Sequence, residues 1–581
     1  METTDSSRAP ADGHDDGHGA EDEHGHEHGL VPGRVPWPSY DPGDFYDELV
    51  GPGGSPRPAA VGLFEHFTDL GPEALAERQD AADREMRAIG VTFTVYDEST
   101  GTTDRPWPFD VIPRVMPSDQ WHLIEAGLVQ RLSALNLFID DVYHDQRAVT
   151  SGVVPSELVT GSPNFRRECV GVDPPGGVWA HICGSDLIRD NDGTVYVLED
   201  NLRVPSGVSY LLENRMVAKH VFPELFRHYS IEPVDPYIGR LAGLLASVSP
   251  STGDPTIVVL TPGIYNSAYF EHAFLAQQLG VELVEGSDLV VLDDDCVYAR
   301  TIDGLQQVDV IYRRIDDLFL DPEAFLPDSM LGVPGLMRAW RSGRVGLVNA
   351  PGAGIADDKK VYSYVPDIIR FFLDEEPILA TVATLRCADQ ESRHFVLGNL
   401  AKLVVKPANE SGGYGVLVGT QASLPELHDA AEQIAAEPGR WVAQPVIPLS
   451  TAPTLCDGNI APRHVDLRPF TLFGPEGAYV TRGGLTRVAR EAGSLVVNSS
   501  QGGGSKDTWV VDTAEPTGPD DRTPSGHPAR PGQTVRSAQY STQNSTQHAT
   551  QGVVQHLLDD DAGAAGPASA HPPGDAPDDT A

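Results

Sequence analysis

The segment Leu403-Val-Val-Lys406-Pro-Ala-Asn-Glu-Ser-Gly-Gly-Tyr-Gly-Val416 has the residue types and spacing of a phosphate cradle. A β-branched, apolar run delivers a cation and a proline. Ser411, Gly412, Gly413, Tyr414 and Gly415 then turn the chain back into an apolar run. Glycines let backbone N–H groups approach phosphate oxygens, and a lysine at the end of a strand adds a point charge for them. An ordinary glycine-rich hairpin has the same local look. Scarcity adds weight to the first reading: the chain holds only six lysines in 581 residues.

A second chemical signal lies in Gly184-Ser-Asp-Leu-Ile-Arg-Asp-Asn-Asp-Gly-Thr-Val-Tyr-Val-Leu-Glu-Asp-Asn201. Asp192-Gly193 between apolar runs predicts a two-residue hairpin turn. With that pair at the centre, Asp186 lies opposite Glu199, and Asn201 follows two residues on along the same face. Like charges facing each other destabilise a hairpin unless something cationic lies between them. Carboxylate and amide oxygens are natural Mg²⁺ ligands, and Mg²⁺ is commonly shared with nucleotide phosphates. Asp186, Glu199 and Asn201 are therefore the expected metal ligands. Such a set would serve a kinase, a ligase or a nuclease, and a solvated hairpin with unpaired carboxylates is the bland alternative.

Two further regions carry cations. Lys359 and Lys360 open a predicted helix, whose dipole favours anions. Arg463-His-Val-Asp-Leu-Arg468-Pro-Phe, Thr481-Arg482-Gly-Gly-Leu-Thr-Arg487-Val and Asn498-Ser-Ser-Gln-Gly-Gly-Gly-Ser-Lys506-Asp507 follow the glycine-rich loop. Arginines alternating with apolar residues along a strand set guanidinium groups on one face, suited to phosphate or carboxylate, although salt bridges would use them equally well.

These residues must be positioned by α/β elements. Pro117-Ser-Asp-Gln120 caps an amphipathic run from Trp121 to Tyr143, with apolar residues at 124, 128, 132, 135, 138, 139 and 142. Thr256–Leu260 reads as a buried strand, Ala268–Leu279 as a helix and Val281–Val284 as a second strand, together a small parallel α/β unit. Lys359 to Leu373 reads as another helix. The expected class is α/β (α+β). Residues 1–36 read as a disordered acidic tail holding His14, His18, His24, His26 and His28. Residues 37–250 form a helical region plus the carboxylate hairpin, and 251–348 the small α/β unit. Residues 349–512 hold the glycine-rich loop and the remainder, and 513–581 form a second disordered tail with a short helix near Val553–Leu558.

Composition narrows the function. The formal net charge is −43, from 84 acidic and 41 basic residues, and the tails account for only part of it. So negative a field disfavours nucleic acid and anionic membrane as partners, and local cations must hold any anionic ligand. Acid enrichment with arginine far above lysine fits a halophilic, acidic proteome. The five cysteines lack CxxC spacing, and neither an 18-residue apolar run nor a basic-then-apolar leader occurs. A reduced, cytoplasmic protein is expected.

Assembled, the segments resemble the circularly permuted ATP-grasp family over about residues 60–512. The resemblance rests on Pro113-Arg114, Gln130-Arg131-Leu-Ser-Ala-Leu-Asn, and Leu198-Glu-Asp-Asn-Leu-Arg-Val-Pro-Ser-Gly-Val-Ser-Tyr210. It continues through Asp358-Lys359, Val405-Lys-Pro, Trp441-Val-Ala-Gln-Pro-Val446, His464-Val-Asp-Leu-Arg-Pro-Phe470 and Gln501-Gly-Gly-Gly-Ser-Lys-Asp507. In an unpermuted ATP-grasp enzyme the glycine-rich lid precedes the Glu-x-Asn metal motif; here the order is reversed. The resemblance implies ATP and two Mg²⁺ as cofactors, with a small parallel pre-ATP-grasp-like unit. It implies that Lys359 and Lys406 hold phosphates, that Ser411 to Gly415 close over them, and that Gln444 to Val446 flank adenine. Asp186, Glu199 and Asn201 would bind the metals, with Arg468, Arg203 or Lys506 at the reacting centre. Pro445 stands where ATP-grasp folds often carry an acid, which leaves adenine contacts there to backbone groups. The implied activity is carboxylate–amine ligation through an acylphosphate, as in glutathionylspermidine-synthase-like enzymes, on small-molecule or peptide acids and amines. Transglutaminase-like and all-helical companion proteins are the implied partners. A non-catalytic ATP-binding partner protein and an ATP-dependent kinase are the alternatives.

Overall fold

The computed structural model describes residues 37–512, apart from residue 38 and segments 98–100, 409–414, 457 and 498–502. Both expected tails, the five tail histidines and the helix near Val553–Leu558 lie outside the described residues.

An eight-stranded sheet forms the centre. Its spatial order is Ala380–Thr381, Val195–Asn201, Ile182–Arg189, Asn459–Gly474, Gly477–Val488, Gly504–Val511 and Phe109–Pro117, with Thr451–Cys456 also paired to Asn459–Gly474. Most pairs are antiparallel; Gly504–Val511 runs parallel to Phe109–Pro117. Strands from late in the chain therefore separate two strands from early in it. Against this sheet packs the helix Ser118–Tyr143. Its seven apolar positions from the sequence reading (Ile124, Leu128, Leu132, Leu135, Phe138, Ile139 and Val142) are all buried, as a continuous stripe at helical spacing requires. The same helix sends Arg131 to Asp200 at 2.7 Å, and the second Asp200 oxygen accepts from the Ser185 hydroxyl at 2.8 Å. Asp200 thus faces the helix, which leaves its neighbours Glu199 and Asn201 for the other face.

The second layer is a four-stranded, all-parallel sheet in the order Gly346–Val348, Val310–Arg313, Ile257–Leu260, Glu282–Val284, with the helix Tyr269–Leu279 in the crossover. Two polar clamps fix it to the central sheet. Asn349 accepts from the backbone N–H groups of His181 and Ile182, both at 2.8 Å, and donates to the carbonyls of Ile182 at 2.7 Å and Leu202 at 2.5 Å. Glu271 accepts from the Gly207 and Ser209 N–H groups at 2.7 and 3.1 Å, at the start of the helix Val208–Val221, and Arg314 balances its charge at 2.8 Å. Asn349 grips both ends of the carboxylate hairpin and Glu271 the chain that follows it, so the hairpin is held from its ends.

The third layer is a four-stranded antiparallel sheet, ordered Leu385–Arg386, Trp441–Pro445, Leu403–Pro407 and Leu417–Val418. Val396 and Ile434, from the helices Gln390–Asn399 and Leu424–Ala436, pack with Val405 and Ala443 in one apolar cluster. The expected helix from Lys359 to Leu373 is two helices, Lys359–Tyr362 and Val365–Leu373. Pro366 explains the break: proline is tolerated in a first turn, whereas within a continuous helix it removes an i→i−4 bond and clashes.

Asn349→Ala removes four hydrogen bonds and leaves buried backbone groups without partners. Each such group costs about 1–3 kcal/mol, and thermal denaturation should show an unfolding midpoint several degrees lower.

Candidate nucleotide site

The hairpin Ile182–Asn201 brings its acids together by a route that differs from the expected two-residue turn. Its loop has three residues, Asn191 to Gly193: Asp190 N–H donates to Thr194 O at 3.0 Å and Gly193 N–H to Asp190 O at 2.9 Å. Gly193 sits at φ 87°, the left-handed position that such a loop needs. This moves the pairing by one residue, so Leu187 lies opposite Val197. A β-bulge between Asp186 and Leu187 then moves it back, and Asp186 lies opposite Glu199 and Gly184 opposite Asn201. The two departures cancel. The bulge also turns both Leu198 and Glu199 towards one cleft.

That cleft lies between the hairpin and the antiparallel third layer. Asp186 and Glu199 line one wall, with Asp466 and Arg487; Lys406, Val404, Val418, Gln444 and Val446 line the other, and Lys359 closes one side. Alternation along Leu403–Pro407 aims Val404 and Lys406 into the cleft while Leu403, Val405 and Pro407 are buried. Ile188, Leu198, Val382, Ile447, Leu449 and Val497 give the rest of the cleft an apolar lining. An apolar slot ending in two ammonium groups matches a nucleotide, whose base is flat and weakly polar and whose phosphates are anionic.

The electrostatics are sharply set. Burial is the main cause that lowers the Lys406 pKa to about 8; Lys359 adds to it, and Glu199 and Asp186 partly offset it. Lys359 Nζ stands 3.8 Å from Glu199 Oε2. On Asp186, burial opposes ionisation, but Arg468 and Arg487 outweigh it and hold the carboxyl well below the usual carboxylate range. Arg468 donates from Nε to Asp186 Oδ1 at 2.5 Å and from its terminal nitrogen to Oδ2 at 2.8 Å. Arg487 reaches the same Oδ2 at 2.7 Å and also grips Asp466. The protein's own cations thus balance the hairpin acids, Arg468 and Arg487 on Asp186 and Lys359 near Glu199, a task the sequence reading assigned to a metal.

The donor set still suits Mg²⁺, since all its atoms are hard oxygens: Asp186, Glu199 and the Asn201 amide, whose nitrogen is anchored to the Gly184 carbonyl at 3.0 Å. Among the described residues no group of three or more His, Cys, Asp or Glu has metal-binding spacing. An ion here would therefore depend on this mixed set and on phosphate oxygens.

Other expected residues fall elsewhere. Arg203 lies outside the cleft lining, paired with Asp357 at 2.9 Å and Asp316 at 2.7 Å. Lys506 is a correction. It is fully buried, and its ammonium donates to Asp110, to Ile112 O at 3.1 Å and to Pro453 O at 2.8 Å. All three of its donors join strands of the sheet, and none reaches the cleft. Arg482 points to Glu125 at 3.5 Å, so the arginines of this region do not share one face. Ser411, Gly412, Gly413 and Tyr414 lie outside the described residues, and Gly415 follows them at φ 68°. Gln444 donates to the Thr384 hydroxyl at 2.9 Å while lining the cleft beside Val446.

Asp466 and Arg487 were not assigned to the site from sequence. A two-residue turn at Pro475-Glu476 sets Asp466 opposite Leu485. A register shift between Pro469 and Thr471 sets it opposite Arg487 instead. The local mark of this irregularity is Gly483-Gly484 within the strand, with Gly483 at φ 151°. Arg114, from the Pro113-Arg114 motif, supports the pair from behind: it donates to the Asp466 carbonyl at 3.2 Å and to Glu48 at 2.5 Å.

A lysine-bearing antiparallel sheet facing a metal-type hairpin across an apolar cleft defines an ATP-grasp protein. The chain belongs to the circularly permuted ATP-grasp type 2 family, whose model matches residues 113–489. An uncharacterised protein of Synechocystis is 54% identical over 474 residues, spanning 81% of this chain and 98% of its own length. A Mycobacterium tuberculosis protein is 49% identical over 477 residues, spanning 81% and 86%. A Frankia alni protein provisionally named a glutamate–cysteine ligase is 45% identical over 472 residues, spanning 80% of this chain but 54% of its own. Among solved structures, a glutathione-synthetase-like effector from Globodera pallida superposes with a TM-score of 0.50 at 10% identity, over 76% of this chain and 98% of that one. That likeness concerns the fold. No helix of the described residues is long and apolar enough to cross a membrane.

The Lys406 ammonium attracts phosphate only while protonated. With its pKa lowered to about 8, its charge is present below that pH and lost above it. ATP affinity, measured by calorimetric titration, should fall about tenfold between pH 7 and pH 9, and Lys406→Arg should flatten that decline because guanidinium stays charged.

Proposed function

We propose that this protein is an ATP-dependent carboxylate–amine ligase acting through an acylphosphate. The observation that carries the reading is the cleft itself, where Lys406 and Lys359 face Glu199 and Asp186 at the end of an apolar slot. Lys359 and Lys406 hold the phosphates, and Val404, Val418 and Val446 flank the base. Mg²⁺ on Asp186, Glu199 and Asn201 supplies charge neutralisation for the γ-phosphate when bound. The acid's carboxylate oxygen attacks the γ-phosphorus and ADP leaves. The amine nitrogen then attacks the acyl carbon, loses a proton, and expels inorganic phosphate carrying one of the acid's oxygens. Positioned cations that meet charge as it develops are the protein's main contribution to such a reaction. The provisional name of the Frankia relative supports the ligase class; the acid and the amine are small molecules or peptides.

Two measurements test this. Lys406→Ala and Glu199→Ala should each abolish carboxylate-dependent ADP release, and full activity in either variant would sink the assignment. With an ¹⁸O-labelled carboxylate as acid, the released phosphate should carry one ¹⁸O. Phosphate retained on an organic product marks a kinase instead.

A further inference from the structure

Asp186 meets two arginines that are not equivalent. Arg487 is buried to 6% side-chain exposure and is also anchored to Asp466 at 2.9 and 3.1 Å. Arg468 is 15% exposed, and among the described residues its other hydrogen bond is to the Ser206 carbonyl at 3.1 Å. Their grips on the carboxylate also differ. Arg487 donates to Oδ2 alone, whereas Arg468 spans both oxygens, sharing Oδ2 with Arg487 and holding Oδ1 through its Nε. The Arg468 stem runs beside Gly184 and Gly207, where a Cβ would stand 3.3 and 4.0 Å from its Cδ. The absence of side chains at both positions leaves the stem space to swing.

We propose that Arg468 is an exchangeable counter-ion: a divalent cation entering the hairpin takes Asp186 Oδ1 from Arg468, while Arg487 keeps Oδ2 and holds the carboxylate in place. The proposal rests on the metal reading of the hairpin given above. Released Arg468 turns its guanidinium to an anion arriving in the cleft, so a cation on the hairpin and a phosphate or acylphosphate beside it assist each other's binding. Before that exchange the guanidinium helps to neutralise a carboxylate buried to 1% exposure, which would otherwise share Arg487 with Asp466 as its sole counter-ion among the pairs described. An immobile guanidinium that only aligns Asp186 makes the opposite prediction, because its removal would loosen the metal ligand.

The sign of one substitution separates the two cases. Mn²⁺ binding without nucleotide, read by electron paramagnetic resonance of the free ion, should tighten about fivefold or more in Arg468→Gln, the lower range of a typical coupling between sites. Arg468→Lys should tighten it less, since an ammonium still pairs with Asp186 but only singly. Unchanged or weaker Mn²⁺ binding in Arg468→Gln, in a variant whose melting profile is native, overturns the exchange. Asp186→Asn should abolish the Mn²⁺ site. If it does not, both the exchange and the metal role of the hairpin fall, whereas loss of Mn²⁺ in Asp186→Asn with no gain in Arg468→Gln removes the exchange alone. ATP binding through Lys406 is measured separately and stands or falls by itself.

Discussion

One guanidinium, that of Arg487, holds two buried carboxylates at once, and the geometry of the cleft depends on it. Asp186 belongs to the hairpin and Asp466 to the adjoining strand, and both are about 1% exposed. Removing one member of so enclosed a group leaves an uncompensated charge, a loss on the order of 3–5 kcal/mol. The network continues backwards, because Arg114 bonds the Asp466 carbonyl and is neutralised by Glu48, which also accepts from Arg189 at 3.2 Å and Ser450 at 2.6 Å. Residues early, midway and late in the chain thus share one buried ionic set. The hairpin acids are positioned by charge as much as by strand pairing.

The same logic explains why a strongly acidic chain can carry an anion site. Its net charge of −43 is spread over the whole sequence, whereas Lys359, Lys406 and Arg487 line the cleft and Arg468 pairs with Asp186 at its wall. In a partly desolvated cleft these local cations outweigh a distant field that salt screens over about 10 Å. Lysine at 406, in a chain that otherwise prefers arginine, has a physical sense. Its pKa responds to burial and to an arriving phosphate, and a guanidinium would stay charged throughout.

Much of this was legible in the sequence, for reasons that differ by element. The helix Ser118–Tyr143 and the strand–helix–strand of the parallel layer follow from periodicity, which is a local property. The facing of Asp186 and Glu199 also follows, although through an idealised turn; the true three-residue loop and the bulge at Leu198 compensate each other. Arg487 was not assigned because its position depends on an irregular register between long strands. Lys506 shows the converse error: a lysine inside a shared motif serves the sheet through Asp110 and two carbonyls, and motif membership does not separate binding from scaffolding. The arginine alternation predicted one charged face, but Arg468 and Arg487 converge on Asp186 while Arg482 leaves for Glu125.

The strand order of the central sheet has a consequence for how the protein is made. Ile182–Arg189 and Phe109–Pro117 are separated in space by strands that begin at Asn459. At roughly 5–20 residues per second, a ribosome needs on the order of 13–50 s to travel the roughly 260 residues from the hairpin to those strands. Throughout that interval the nascent chain presents sheet edges that have no partner yet, and such edges readily pair with other chains. Asp186 waits equally long for both of its arginines. The cleft is therefore completed only after the strands from Asn459 onward have been made, and until then its early half is without their cover.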